Sequence, residues 1–245
     1  MMDKYIRVAR VYPVVLGMLP ICILLAMCMG EWLPQYQATV GNVNWVLCMI
    51  GGTALVSLTV GYLVREIFKE TSKWLFQYPL FKKNETEMPT TKMLLWKNTA
   101  ISPAYHKEIA CKVKETFNIK LPSEADEKKD IVMAKKTIVD AVAQIRQNCR
   151  GDEILRQYNM EFGFCRNYLG ACVWSIIFII GMGIANIFYG WLLWWALVVA
   201  LVLQVLLMVG SYLLLEARGW TYAEYLFATF TGRKQGENAK THIIP

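Results

Sequence analysis

The residues best placed to do chemistry lie in one stretch, Gly151 to Gly170. Within it, Asn159, Glu161, Arg166 and Asn167 bring a carboxylate, a guanidinium and two amides to the point where a charged region gives way to an apolar one. A guanidinium can hold a carboxylate through two parallel hydrogen bonds, so the set suits ligand binding or coupling between parts of the protein. Catalysis requires a base within reach of a nucleophile. The spacing offers no such pair, and the chain reads as a non-enzyme. On a helical period Glu161 and Arg166 fall on different faces. Each is therefore directed to a partner elsewhere: the polar segment near Thr90, Glu66, or a neighbouring subunit.

Gly163 and Gly170 share a face with Asn159 and Arg166, a small and polar stripe that lets another helix approach closely. Leu155, Tyr158, Phe162, Leu169 and Val173 form an apolar face beside it. No helix breaker stands between Glu153 and Trp174, so a single helix is expected to enter the bilayer here. Such a helix is either a plain membrane-entry segment with a polar packing seam or a lever that carries strain from a soluble domain. Gln204 is the one strongly polar side chain near the middle of an apolar run. It suits an interhelical hydrogen bond or, in an oligomer, a ring of amides lining a pore.

Other chemistry is sparse. Thr90 and Thr91 beside Lys92 could meet a phosphate, or could cap a helix. No phosphate-loop, dinucleotide-binding or zinc-protease pattern occurs. The two histidines, His106 and His242, and the seven cysteines show no metal-ligand spacing and no C-x-x-C pair, so neither a metal nor a cofactor is expected.

These residues must be held by elements that the composition identifies. Of 245 residues 56% are hydrophobic and only 18% charged, which suits a polytopic membrane protein. Nineteen of the 26 Lys and Arg residues lie between Arg65 and Arg166, together with 14 of the 19 acidic ones. That balance argues against a nucleic-acid surface, and the net charge of +7 is explained by membrane orientation. Four runs without a charged residue, 11–30, 45–64, 167–188 and 191–215, are long enough to span ~30 Å of hydrocarbon. The connections between runs one and two and between runs three and four carry no Lys or Arg. The positive-inside rule then places both termini and the central region in the cytoplasm. The expected fold is all-α: a transmembrane hairpin over 1–64, a helical cytoplasmic domain over 65–166, a second hairpin over 167–218, and an interfacial helix with a flexible tail over 219–245.

Within the central region, Ser102-Pro103 and Ser123-Glu124-Ala125-Asp126 read as helix starts, and Asp152 as the N-cap of the entry helix. The helix from Ser123 is expected to run to about Cys149. Ile131, Ala134, Ile138, Val142 and Ile145 form a narrow seam suited to an antiparallel hairpin or a subunit contact. Residues 84–92, with Pro89-Thr90-Thr91, read as a polar loop. Ala185 to Gly190 reads as a tight outer turn, and Thr221-Tyr222-Ala223-Glu224 as the capping box of the last helix.

The run Tyr158-Asn159-Met160-Glu161-Phe162-Gly163-Phe164-Cys165-Arg166-Asn167, with Pro89-Thr90-Thr91 upstream, resembles a group of small bacterial membrane proteins of undefined biochemistry. The four-span plan with a central cytoplasmic insert looks like membrane effectors of antiphage defence. The resemblance implies an oligomeric effector of the bacterial inner membrane that perturbs or permeabilises the bilayer when its cytoplasmic domain meets a ligand or protein trigger. The alternative is a non-enzymatic anchor for a cytosolic partner. The expected partners are the lipid bilayer, further copies of the chain and that trigger.

Overall fold

A computed structural model describes residues 4–39, 61–190 and 192–232. They are helical, with no strand among them. Helix α1 (Lys4–Ile6) passes through one π turn (Arg7–Val11) into α2 (Tyr12–Thr39), which contains both Pro13 and Pro20. Helix α3 covers 61–72 and continues through a second π turn (Lys73–Gln77) into α4 (Tyr78–Phe81). Then come α5 (Pro89–Met93), α6 (Pro103–Phe117), α7 (Glu124–Lys129), α8 (Ile131–Asn148), α9 (Glu153–Tyr189) and α10 (Trp194–Thr231).

Among the described residues, three helical stretches are long and apolar enough to cross a membrane: Lys4–Leu25, Glu153–Tyr189 and Trp194–Thr231. At 1.5 Å per residue, the last two exceed ~30 Å of hydrocarbon with turns to spare. Their outward faces carry Ile177, Ile180, Ile184, Val198, Val202 and Leu206, all exposed. Such a surface is unfavourable in water and at ease in lipid. The expected second span at 45–64 lies largely outside the described residues, which begin again at Gly61.

The chain divides into two compact units, Met1–Phe76 with Gly163–Leu214 and Gln77–Phe162 with Leu215–Pro245. All three borders, at 76/77, 162/163 and 214/215, fall inside continuous helical stretches. The first unit has an apolar core of Ile21, Leu24, Ile179, Leu192, Ala196 and Leu197. The turn between α9 and α10 is shorter than expected, because residues 185–189 stay helical and Gly190 reverses the chain at φ 64. Asn186 fastens that turn: its Nδ2 donates to the Leu192 carbonyl at 2.9 Å, and its Oδ1 accepts from the Leu192 amide at 2.6 Å.

The second unit folds from local signals. Ser102 accepts from the Tyr105 amide at 3.2 Å, Ser123 and Asp126 close a capping box, and Asp152 accepts from the Leu155 amide at 2.7 Å. Asn118 ends α6 in the left-handed region. One helix was expected from Ser123 to Cys149; there are two. Asp130 leaves the helix at φ −149, ψ 90, and its carboxylate accepts from the Val132 and Met133 amides at 3.0 Å, starting α8 afresh. Residues 89–91 are not loop but the first turn of α5, with Pro89 at a position where its missing N–H costs nothing. Thr221 starts no new helix either. It sits within α10, its hydroxyl donating to the Ala217 carbonyl at 3.1 Å.

Ile109 and Val113 of α6, Ile138, Val142 and Ile145 of α8, and Leu226, Phe227 and Phe230 of α10 form the core of this unit. The Ala134–Ile145 seam is thus buried inside its own chain, and only Ile131 at its end is exposed. Truncating one such fully buried side chain to Ala costs about 2–5 kcal/mol. Polar groups close the same unit. Glu127 accepts from the amides of Trp96 at 2.7 Å and Lys97 at 3.3 Å, and His106 Nε2 bonds the Leu94 carbonyl at 2.8 Å. Arg146 pairs with Glu85 at 2.7 Å and donates to Thr90 at 3.2 Å. Lys135 pairs with Glu87, whose carboxyl is held below its ordinary value chiefly by that hydrogen bond.

Candidate functional site

Helix α9 supplies most of the expected site residues and divides them between the units. Asn159 and Glu161 belong to the second unit; Gly163, Arg166, Asn167 and Gly170 belong to the first. In the first unit α9 is bound to the N-terminal lead and to α3. The buried Asn167 donates through Nδ2 to the Ala9 carbonyl at 2.5 Å, and its Oδ1 accepts from Arg166 Nε at 3.3 Å. The Ser72 hydroxyl donates to the Arg166 carbonyl, and Trp174 Nε1 donates to Thr71 Oγ1 at 3.0 Å. Phe68 stacks on Trp174 with ring centroids 6.4 Å apart.

Small residues permit this approach. A methyl group at Gly170 would lie 2.8 Å from the Phe68 carbonyl carbon, 3.1 Å from Ser72 Cβ and closer still to the Phe68 oxygen. One at Gly163 would meet Ala9 Cβ at 3.2 Å, and one at Gly17 would collide with Ala171. The polar stripe read from the sequence is therefore a packing surface in its lower half, with the helical lead and α3 of the same chain as its occupants.

Charged groups surround the seam on α3. Lys69 pairs with Glu66, Lys73 with Glu70 at 2.8 Å, and Arg65 reaches Glu66 at 3.4 Å. The Lys69 hydrogen bond is the main cause that holds the Glu66 carboxyl below its ordinary value, with the charges of Arg65 and Arg10 adding to it.

In the second unit Glu161 is 2.8 Å from Arg218 Nη1 and accepts from Gln157 Nε2 at 3.4 Å. The Glu161 oxygen facing Arg218 has no aligned hydrogen bond, so charge rather than a well-directed N–H holds the pair. Arg218 lies 57 positions away, and no spacing rule connects the two. With side chains 41% and 31% exposed, such a pair contributes about 0.2–1 kcal/mol. Tyr158 meets Tyr225 at 3.9 Å between centroids beside it, and Asn159 is half-buried. Thr90 and Thr91 are buried, with the Thr91 hydroxyl donating to the Glu85 carbonyl at 2.9 Å and the Thr90 hydroxyl accepting from Arg146.

Gln204, in the first unit, is fully buried. Its Nε2 lies 3.5 Å from the Gly17 carbonyl, a marginal bond, and its Oε1 has no hydrogen-bond partner among the described residues. The Ser175 hydroxyl is likewise buried without a hydrogen-bond partner among the described residues. Among the described residues no group of three or more His, Cys, Asp or Glu is arranged to hold a metal ion. No protein-family model, no curated protein and no solved structure matches this chain.

Proposed function

We propose that this chain is an oligomeric effector of the bacterial inner membrane. The second unit lies on the cytoplasmic side, meets a ligand or protein trigger, and the membrane-crossing helices then perturb or permeabilise the bilayer, as an antiphage-defence effector would. One observation carries this proposal: α9 and α10 each contribute residues to both units without a break in the helix. A continuous helix passes a displacement along its axis, whereas a flexible linker absorbs it. The Glu161–Arg218 pair joins these two helices within the second unit and supports a coupled movement of both. The proposed activity is non-enzymatic.

A scaffold role is favoured by a different observation. Ile131, Val132 and Met133 open α8 with exposures of 44%, 60% and 58%, an apolar triplet with no cover from the described chain. A cytosolic protein could rest there. Induced expression with a membrane-potential dye separates the two. Rapid depolarisation supports the effector. An intact potential, with a soluble partner retained by the wild type and lost in Val132→Asp, supports the scaffold.

A further inference from the structure

We propose that the N-terminal lead, Lys4–Val11, is a strap held on α9 by one clasp, the Asn167 amide on the Ala9 carbonyl, and that breaking this clasp frees the lead. Pro13 creates the place for it. Lacking an N–H, Pro13 cannot serve the Ala9 carbonyl four residues back as an α-helix requires, and its ring crowds that carbonyl. The turn before it is wide: the Tyr12 amide donates to the Arg7 carbonyl, five residues back. Asn167 Nδ2 supplies the missing donor to Ala9 at 2.5 Å. Its Oδ1 accepts from Arg166 Nε at 3.3 Å, which leaves the NH2 edge of the amide for the Ala9 carbonyl.

Two matching ridges seat the clasp. Ala9, Pro13 and Gly17 recur every four residues and are all buried. Gly163, Asn167 and Ala171 recur at the same interval on α9. A methyl at Gly163 would meet Ala9 Cβ at 3.2 Å, and one at Gly17 would collide with Ala171. The ridges therefore run parallel, small residue against small residue, with Asn167 between the two contacts. Past Pro13 the seam is well anchored, because Ile21 and Leu24 of α2 join Ile179, Ala196 and Leu197 in the apolar core. Before Pro13 the hold is slight. Ala9 is the one buried residue of Lys4–Val11, and the other seven are exposed or half-buried. A segment with so few buried contacts opens locally before the rest of the fold. α9 operates the clasp: it carries Gly163 and Asn167 together, and an axial slide of one turn, about 5.4 Å, takes both past Ala9. Opening releases Lys4, Arg7 and Arg10 as one basic segment. The device does not rest on the effector reading, since it concerns only the seat of the lead.

The test follows trypsin cleavage after Arg10 in the full chain purified in detergent, with helix content checked by circular dichroism. Asn167→Leu should speed that cleavage about fivefold, the effect of losing one hydrogen bond. Gly183→Ala, on the same helix with open space around it, should leave the rate unchanged. Pro13→Ala returns the helical donor to Ala9, so in that background Asn167→Leu should change the rate less than about twofold. Should Asn167→Leu unfold, the paired variant Ala9→Cys with Gly163→Cys decides the matter. The two Cβ positions are close to disulfide spacing, so mild oxidation should cross-link them, identified by peptide mass, and slow the cleavage at least about tenfold until reductant is added. Equal cleavage of wild type and Asn167→Leu, the same acceleration with and without Pro13, or a cross-link that leaves cleavage after Arg10 as fast as before would overturn the proposal.

Discussion

Replacing Gly170 by alanine adds one methyl group at the crossing of α9 and α3. That methyl would sit 2.8 Å from the Phe68 carbonyl carbon and 3.1 Å from Ser72 Cβ, with the Phe68 oxygen nearer still. The neighbour is helix backbone, which has no rotamer to move to. α9 must therefore withdraw from α3, loosening the Ser72–Arg166 hydrogen bond and the Phe68–Trp174 stack. Alanine favours a helix over glycine by about 1 kcal/mol. Overpacking costs about 1–3 kcal/mol, and a weakened hydrogen bond about 1 more. The net expectation is a loss of about 1–3 kcal/mol. Gly181 and Gly183 of the same helix provide the control, since a methyl there meets nothing within 4 Å. Gly181→Ala and Gly183→Ala should be neutral or slightly stabilising. The assay is unfolding of the purified full chain by dodecyl sulfate in mixed micelles, followed by circular dichroism. Gly170→Ala matching Gly181→Ala in stability would refute a backbone-close crossing at this position.

A double-mutant cycle of Glu161→Gln and Arg218→Gln should yield a coupling of about 0.2–1 kcal/mol; additive effects on unfolding would show that the pair contributes nothing. Glu87 has a carboxyl held below its ordinary 4.5, so the stability it brings is full above that value and is lost as pH falls through the lower folded value. Unfolding midpoints should thus fall more steeply below pH 4.5 in the wild type than in Glu87→Gln, and parallel slopes would count against the Lys135 bond. Gln204→Leu should cost less than about 1 kcal/mol or stabilise, because it removes a marginal bond together with an unmet buried acceptor. A loss of several kcal/mol in the same micelle titration would show that the amide is well satisfied.

Local signals were legible in the sequence. Ser102, Ser123 and Asp152 cap the helices expected of them, since a cap involves only its own and the next three residues. Asp130 escaped because the apolar period continues across it, and a lone aspartate reads equally as a surface residue of one long helix. Thr221 misled for the opposite reason: the capping pattern is present, but an unbroken apolar run on both sides keeps the backbone helical. The Gly163–Gly170 stripe announced a close contact without its occupant. That it faces Ala9 and Phe68 depends on long-range packing that no spacing encodes. The same holds for Glu161 with Arg218.

The central claim is that the apolar helices cross a membrane and hold the second unit on its cytoplasmic side. Cys111, an exposed thiol of α6, tests it without any mutation. Intact and permeabilised cells expressing the chain are treated with a membrane-impermeant maleimide, and the labelled peptides are identified by mass. The account predicts that Cys111 is unmodified in intact cells and labelled after permeabilisation. Labelling of Cys111 in intact cells would contradict it.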